Sequence, residues 1–172
     1  YKLIKEAEEK NGFKVKALLL THAHFDHAGN AAKIAADGAT VYISEKDGKK
    51  LAAGDTLASR FGRTAEPVTD YVTIKDGDVL NLFGIKIDVL ETAGHTDGSL
   101  TFKVGDALFT GDTLFCESVG RTDFPTGDFE ALVRSVQKLF ALKGDYTVYP
   151  GHDEFTTLSH ERAFNPLKEY ER

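Results

Sequence analysis

Residues Leu18 to Asn30 read LLLTHAHFDHAGN and hold three of the chain's six histidines, His22, His24 and His27, with Asp26 between the last two. An apolar run, Val15 to Leu20, leads directly into them and reads as a short buried strand. Side chains alternate in extended backbone, so His22 and His24 point the same way. The segment His27 to Ala36 then predicts a helix, with Asp26 as its N-cap and Gly38 as its stop. Asp26 and His27 therefore follow a change of chain direction. Neutral imidazole and carboxylate are the usual ligands of Zn²⁺ and Fe²⁺. A segment that presents one pair of such groups before a turn and another pair after it can serve two adjacent ions.

Three further segments combine the end of an expected strand with a ligand-type side chain: AGHTDGS at 93–99, TGDT at 110–113 and YPGHD at 149–153. With the first segment they take up five of the six histidines: His22, His24, His27, His95 and His152. Strand ends are where distant parts of a chain converge, and the neighbouring glycines permit sharp turns and close backbone approach. The sixth histidine, His160, lies beside Glu161 and Arg162 on an expected helix and reads as structural.

The rest of the chain supplies a mixed scaffold. Tyr1 to Lys10 predicts a helix stopped at Asn11-Gly12, and Thr40 to Ile43 a strand, with Ser44 able to cap a short helix after it. Residues 54–70 read as a loop with a helical turn near Leu57. Val79–Leu82 and Ile85–Glu91 flank Phe83-Gly84 as one hairpin, and Leu100–Val104 and Ala107–Thr110 flank Gly105-Asp106 as another. Phe129 to Leu142 is an amphipathic helix with Leu132, Val133, Val136, Leu139 and Phe140 on one face and Asp128 as its cap. Tyr146–Tyr149 is a strand, and Leu158–Ala163 a final helix. Strands and helices mix, which gives an α/β or α+β class.

Composition narrows the functions open to such a chain. The 172 residues suffice for one domain with a real core. A net charge of −6 disfavours a nucleic-acid binder, which needs a basic patch. No apolar run approaches the ~20 residues of a membrane span, so no membrane partner is expected. The single cysteine, Cys116, cannot form an internal disulfide and reads as a small buried hydrophobe, and with no signal-peptide pattern a cytoplasmic setting is expected. The sequence begins at Tyr1 within an expected helix, so it is expected to be a single domain, 1–172, that lacks its natural N-terminus.

The THAHFDH segment resembles the HxHxDH signature of the metallo-β-lactamase-fold hydrolases, and His95, Asp112 and His152 follow in that family's order and at roughly its separations. The likeness spans nearly the whole chain. It is strongest to the short, glyoxalase-II-like hydrolases, which share the GRTD segment, here Gly120 to Asp123, and a tail similar to TTLSHERAFNP, here Thr156 to Pro166. AGHTDGS departs from the family's frequent PGHTPGS at Ala93 and Asp97 but keeps the histidine.

The resemblance implies an αββα sandwich, here without its first strands, with two metal ions at one edge of the sheets. By matching position, His22, His24 and His95 would hold the first ion, Asp26, His27 and His152 the second, and Asp112 both. Zn is the expected metal, with Fe and Mn as alternatives. Two divalent ions opposed by Asp26, Asp112 and one hydroxide keep a small positive charge, which lowers the pKa of bound water toward ~7. The expected reaction is attack of a metal-bound hydroxide on a thioester such as S-lactoylglutathione, with Asp26, His22, His24 and Asp112 as the catalytic set. Arg121 is the candidate for gripping an anionic part of the substrate, against an ion pair with Asp123. With 20 residues after His152, the chain is expected to lack the C-terminal helical domain with which glyoxalase II helps to bind glutathione.

Two alternatives share the fold: a persulfide dioxygenase with one iron held by His22, His95 and Asp112, and a lactonase. A β-lactamase is disfavoured, because zinc enzymes of that name commonly use cysteine where this chain has Asp112. A purely structural metal module would need closed coordination, which two adjacent ions serve badly.

Overall fold

The computed structural model describes residues 1–170. Its packing divides into two units, Tyr1–Thr73 and Ile74–Arg172.

In the first unit, α1 (Lys2–Asn11) ends where Gly12 turns left-handed, with φ 68°. It is followed by β1 (Ala17–Leu19), α2 (Phe25–Ala28), α3 (Ala31–Ala36), β2 (Thr40–Ser44), α4 (Glu45–Ala53), a 3₁₀ turn at Ala58–Phe61 and β3 (Val72–Ile74). The strands form one sheet in the order β1-β2-β3, with β1 and β2 parallel and Ala17 opposite Thr40. β1 is shorter than the apolar run because the Val15 N–H donates to Glu8 Oε1 at 2.8 Å instead of to a strand. Leu20, Ala28, Ala31, Val41, Ile43 and Leu51 pack as its core. The Ser44 hydroxyl accepts from Asp47 N at 3.3 Å, which caps α4 as expected.

The single helix expected from His27 to Ala36 is instead two helices. The break falls at Gly29 and Asn30, and a Cβ on Gly29 would meet the Phe25 carbonyl oxygen at 2.4 Å. The N-cap of α2 is His24, whose backbone is still extended at φ −62° and ψ 146°, and Asp26 lies inside the first turn. Asp26 is therefore not a cap. Its position places an acid near the positive end of the helix dipole instead.

The second unit holds β4 (Val79–Leu82), β5 (Ile85–Glu91), β6 (Leu100–Val104), β7 (Ala107–Gly111), β8 (Leu114–Phe115), β9 (Ser118–Val119), α5 (Phe129–Phe140), β10 (Thr147–Pro150), β11 (Thr156–Thr157) and α6 (Leu158–Phe164). Six strands form a sheet in the order β11-β10-β7-β6-β5-β4, and β8 pairs with β9 separately. Both expected hairpins are present, with Leu82 opposite Ile85 and Val104 opposite Ala107.

β7 and β10 are parallel, and α5 lies in the crossover between them, as a parallel pair requires. Val133, Val136 and Leu139 of α5 pack on Leu108, Leu114, Val148 and Leu158. Full burial of each such side chain is worth roughly 1.5–3 kcal/mol. Asp128 caps α5 by accepting from Ala131 N at 2.9 Å. At the other end, the Arg162 guanidinium donates to the carbonyls of Phe140, Leu142 and Gly144, which ties α6 to the exit of α5.

Candidate metal centre

In the first unit, the turn from β1 into α2 packs three imidazoles together. The rings of His22 and His24 lie edge to face with centroids 4.7 Å apart, and His27 lies 4.1 Å from His22. His22 and His24 are buried, whereas Asp26 is exposed, with its Oδ2 3.6 Å from His27 Nε2. Thr21 Oγ1 lies 3.2 Å from His22 Nδ1.

In the second unit, three loops at strand ends bring His95, Asp112 and His152 together. Asp112 Oδ2 is 3.4 Å from His95 Nε2 and 3.5 Å from His152 Nε2. These separations exceed a good hydrogen bond. They match the edge of a tetrahedron around an ion with bonds of about 2.0–2.1 Å, which is roughly 3.3 Å. The donor set thus fits a divalent metal. His95 Nδ1 lies 2.7 Å from the Arg121 carbonyl oxygen, which can only accept, so Nδ1 is the donor, the arrangement that leaves Nε2 as the ring's metal-binding nitrogen. His95 and Asp112 are buried, and the His152 side chain is 47% exposed.

The supports of these three residues lie outside the histidine motifs. Thr92, at the end of β5, meets Thr101 Oγ1 at 3.0 Å and Thr113 Oγ1 at 3.2 Å through its own hydroxyl. All three threonines are buried, and together they tie the loop before His95 to the residue after Asp112. The Ser135 hydroxyl of α5 donates to the Ala93 carbonyl at 2.6 Å. Gly120 lies so close to Asp112 that a Cβ there would stand 1.8 Å from the Asp112 carbonyl oxygen. The GRTD resemblance marked this segment, but nothing local marked Gly120 as a brace for Asp112. Arg121 makes a two-pronged ion pair with Asp123, both contacts at 2.6 Å, and its guanidinium stacks 3.9 Å from the centre of the Phe124 ring. The Arg121 hydrogen bonds hold the Asp123 carboxyl down at about 2.

The sequence profile of the metallo-β-lactamase superfamily matches residues 1–152. The chain belongs to that superfamily. Its members are metal-dependent hydrolases that bind divalent ions, and the mixed sheets and helices described above match their fold. A probable metallo-hydrolase of Streptococcus pyogenes serotype M6 is 40% identical over 163 residues, covering 88% of this chain and 69% of the relative. Hydroxyacylglutathione hydrolase GloC of Haemophilus influenzae is 37% identical over 173 residues, covering 96% of this chain and 81% of the relative. Among solved structures, TTHA1623 in a di-iron-bound form superposes with a TM-score of 0.85 at 35% identity, covering 96% of this chain and 83% of that one. ETHE1 from Myxococcus xanthus superposes at 0.72 with 28% identity, covering 95% and 69%. No helix among the described residues is long and apolar enough to cross a membrane.

Proposed function

We propose that the chain is a dinuclear metal-dependent thioester hydrolase of the glyoxalase-II type, acting on a small-molecule thioester such as S-lactoylglutathione. The observation that carries it is Asp112 Oδ2, which lies at tetrahedral-edge distance from two imidazole nitrogens, as a bridging ligand would. The likeness to GloC points to the thioester. In this proposal the whole chain works as one metallo-β-lactamase-like domain. His22, His24 and His95 would hold one ion and Asp26, His27 and His152 the other, with Asp112 the ligand they would share. Zinc is the proposed metal. The di-iron form of TTHA1623 supports iron as the alternative, and manganese suits the same ligands.

When bound, the ions supply a nucleophilic water at neutral pH and positive charge against the substrate carbonyl. The chain's own residues prepare that chemistry. Arg121, through its carbonyl, keeps the His95 proton on Nδ1. Asp26, exposed beside His27, is the proposed holder of the proton released by the attacking water. The Arg121 side chain is the proposed grip on a substrate carboxylate, which requires it to leave or share Asp123. The acidic net charge argues against a nucleic-acid partner, and a cytoplasmic setting goes with the single cysteine.

A second reading, a persulfide dioxygenase with one iron, is favoured by the likeness to ETHE1. One experiment separates the two. Metal-loaded protein is given S-lactoylglutathione with thioester absorbance followed, and glutathione persulfide with an oxygen electrode. The proposal expects thioester loss without O₂ uptake, and loss of turnover by at least 100-fold in Asp112→Asn. O₂ uptake with intact thioester would overturn it.

A further inference from the structure

A second group of metal-ligand side chains lies in the second unit, outside the seven residues above. The hairpin between β8 and β9 carries Cys116 and Glu117 at its tip, with Glu117 in left-handed backbone at φ 49°. Against it stands the first part of α6, which carries His160 and Glu161. One ligand atom each from Cys116, His160 and Glu161 lie within 4.8 Å of one another. Cys116 is half-buried, which corrects the buried hydrophobe expected from sequence.

Glu161 is completely buried. Its Oε1 accepts from the Thr156 hydroxyl at 2.8 Å, and its Oε2 accepts from Glu117 N at 3.0 Å and Asn165 Nδ2 at 2.8 Å. All three donors are neutral. A carboxylate offers about four acceptor sites, so one remains. No Lys or Arg among the described residues bridges it. Buried charges are normally paired or bound to a metal. His160 completes the pattern. Its Nε2 lies 3.0 Å from Glu117 Oε1, the outer carboxylate contact that orients a metal-binding imidazole and raises its basicity.

We propose that Cys116, His160 and Glu161 form a separate site for one divalent ion of the zinc type. Thiolate, imidazole and carboxylate are a zinc donor set, and a water completes four-coordination on the exposed side of His160. The ion compensates the buried Glu161 carboxylate and pins the β8–β9 hairpin to α6. This site is independent of the proposed hydrolase chemistry.

The chain's only cysteine makes the test specific. Cobalt titrated into the full protein reports a thiolate ligand by a sulfur-to-cobalt charge-transfer band in the near ultraviolet, and the other seven ligands contain no sulfur. The band is expected to saturate at the intensity of one cobalt–thiolate centre per chain while the other centre fills beside it, to vanish in Cys116→Ser, and to need at least tenfold more cobalt in His160→Gln. It is expected to persist in His24→Ala, which disables the other centre. Zinc is expected to slow reaction of Cys116 with a thiol reagent at least tenfold. Glu161 is left unaltered, because its buried hydrogen bonds make it a folding risk. Cobalt uptake without the band, with thiol reactivity indifferent to zinc, would overturn the proposal. So would a band that His160→Gln leaves unchanged.

Discussion

Gly120→Ala is the substitution that most directly probes how the fold holds Asp112. The added Cβ would stand 1.8 Å from the Asp112 carbonyl oxygen and 2.8 Å from its carbonyl carbon, whereas real Cβ contacts essentially never fall under 3.0 Å. The two backbone segments must separate by about 1.2 Å. Neither contacting atom belongs to a flexible side chain. Overpacking of this kind costs roughly 1–3 kcal/mol of stability. The cost to the site is larger, because metal–ligand distances tolerate only about ±0.2 Å. A misplacement of ~1 Å is enough for a hundredfold loss of rate. The assay is metal content and thioester turnover on folded protein, with Gly105→Ala as control. Gly105 is left-handed, at φ 57°, and a Cβ there meets nothing within 4 Å. The control is expected to lose ~1 kcal/mol and keep its metal. Gly120→Ala with full metal and turnover would refute the idea that this contact positions Asp112.

Thr92→Val removes the hydroxyl shared by Thr101 and Thr113, and is expected to cost about 1–3 kcal/mol in denaturant unfolding and to lower metal affinity, because two buried hydroxyls lose a partner. Arg121→Ala keeps the carbonyl that orients His95, so KM for an anionic thioester is expected to rise several-fold while kcat holds; steady-state kinetics check the split. Asp145 sits below the usual carboxylate range because the Ser159 hydroxyl, the Ser159 N–H and then the Tyr146 N–H bond to it, against slight desolvation. A lowered folded pKa makes its contribution full above about 3.9 and lost as pH falls through the folded value. Ser159→Ala is therefore expected to raise that pKa and to narrow the stability gained between acid and neutral pH, read from denaturation at a series of pH values.

What was legible in the sequence was whatever local pattern decides. The hairpins β4–β5 and β6–β7 follow from period-two apolar residues on either side of glycine turns, and their pairing matches. The apolar face and Asp128 cap of α5 are equally local. The α2–α3 break was missed because apolar periodicity continues across Gly29 and Asn30, and only the close approach of Gly29 to the Phe25 carbonyl marks the interruption. β8, β9 and β11 are two residues each, too short for any period to register. The candidate ligands were visible because three histidines share one turn and the rest sit at strand ends. Their supports were not: the Arg121 carbonyl on His95, Gly120 against Asp112, and Glu161 beneath Cys116 join residues 26, 8 and 45 positions apart. Such contacts exist only once the chain has folded.

The central claim is that Asp112 bridges two ions. Anomalous diffraction from crystals of the metal-loaded protein tests it most directly. Two peaks are predicted, about 3.5–4 Å apart, one against His95 Nε2 and one against His152 Nε2, with the Asp112 carboxylate on both. A peak beside Cys116 would belong to the other proposed site. A single peak at His95 and Asp112, with His152 turned away from any ion, would contradict the dinuclear account.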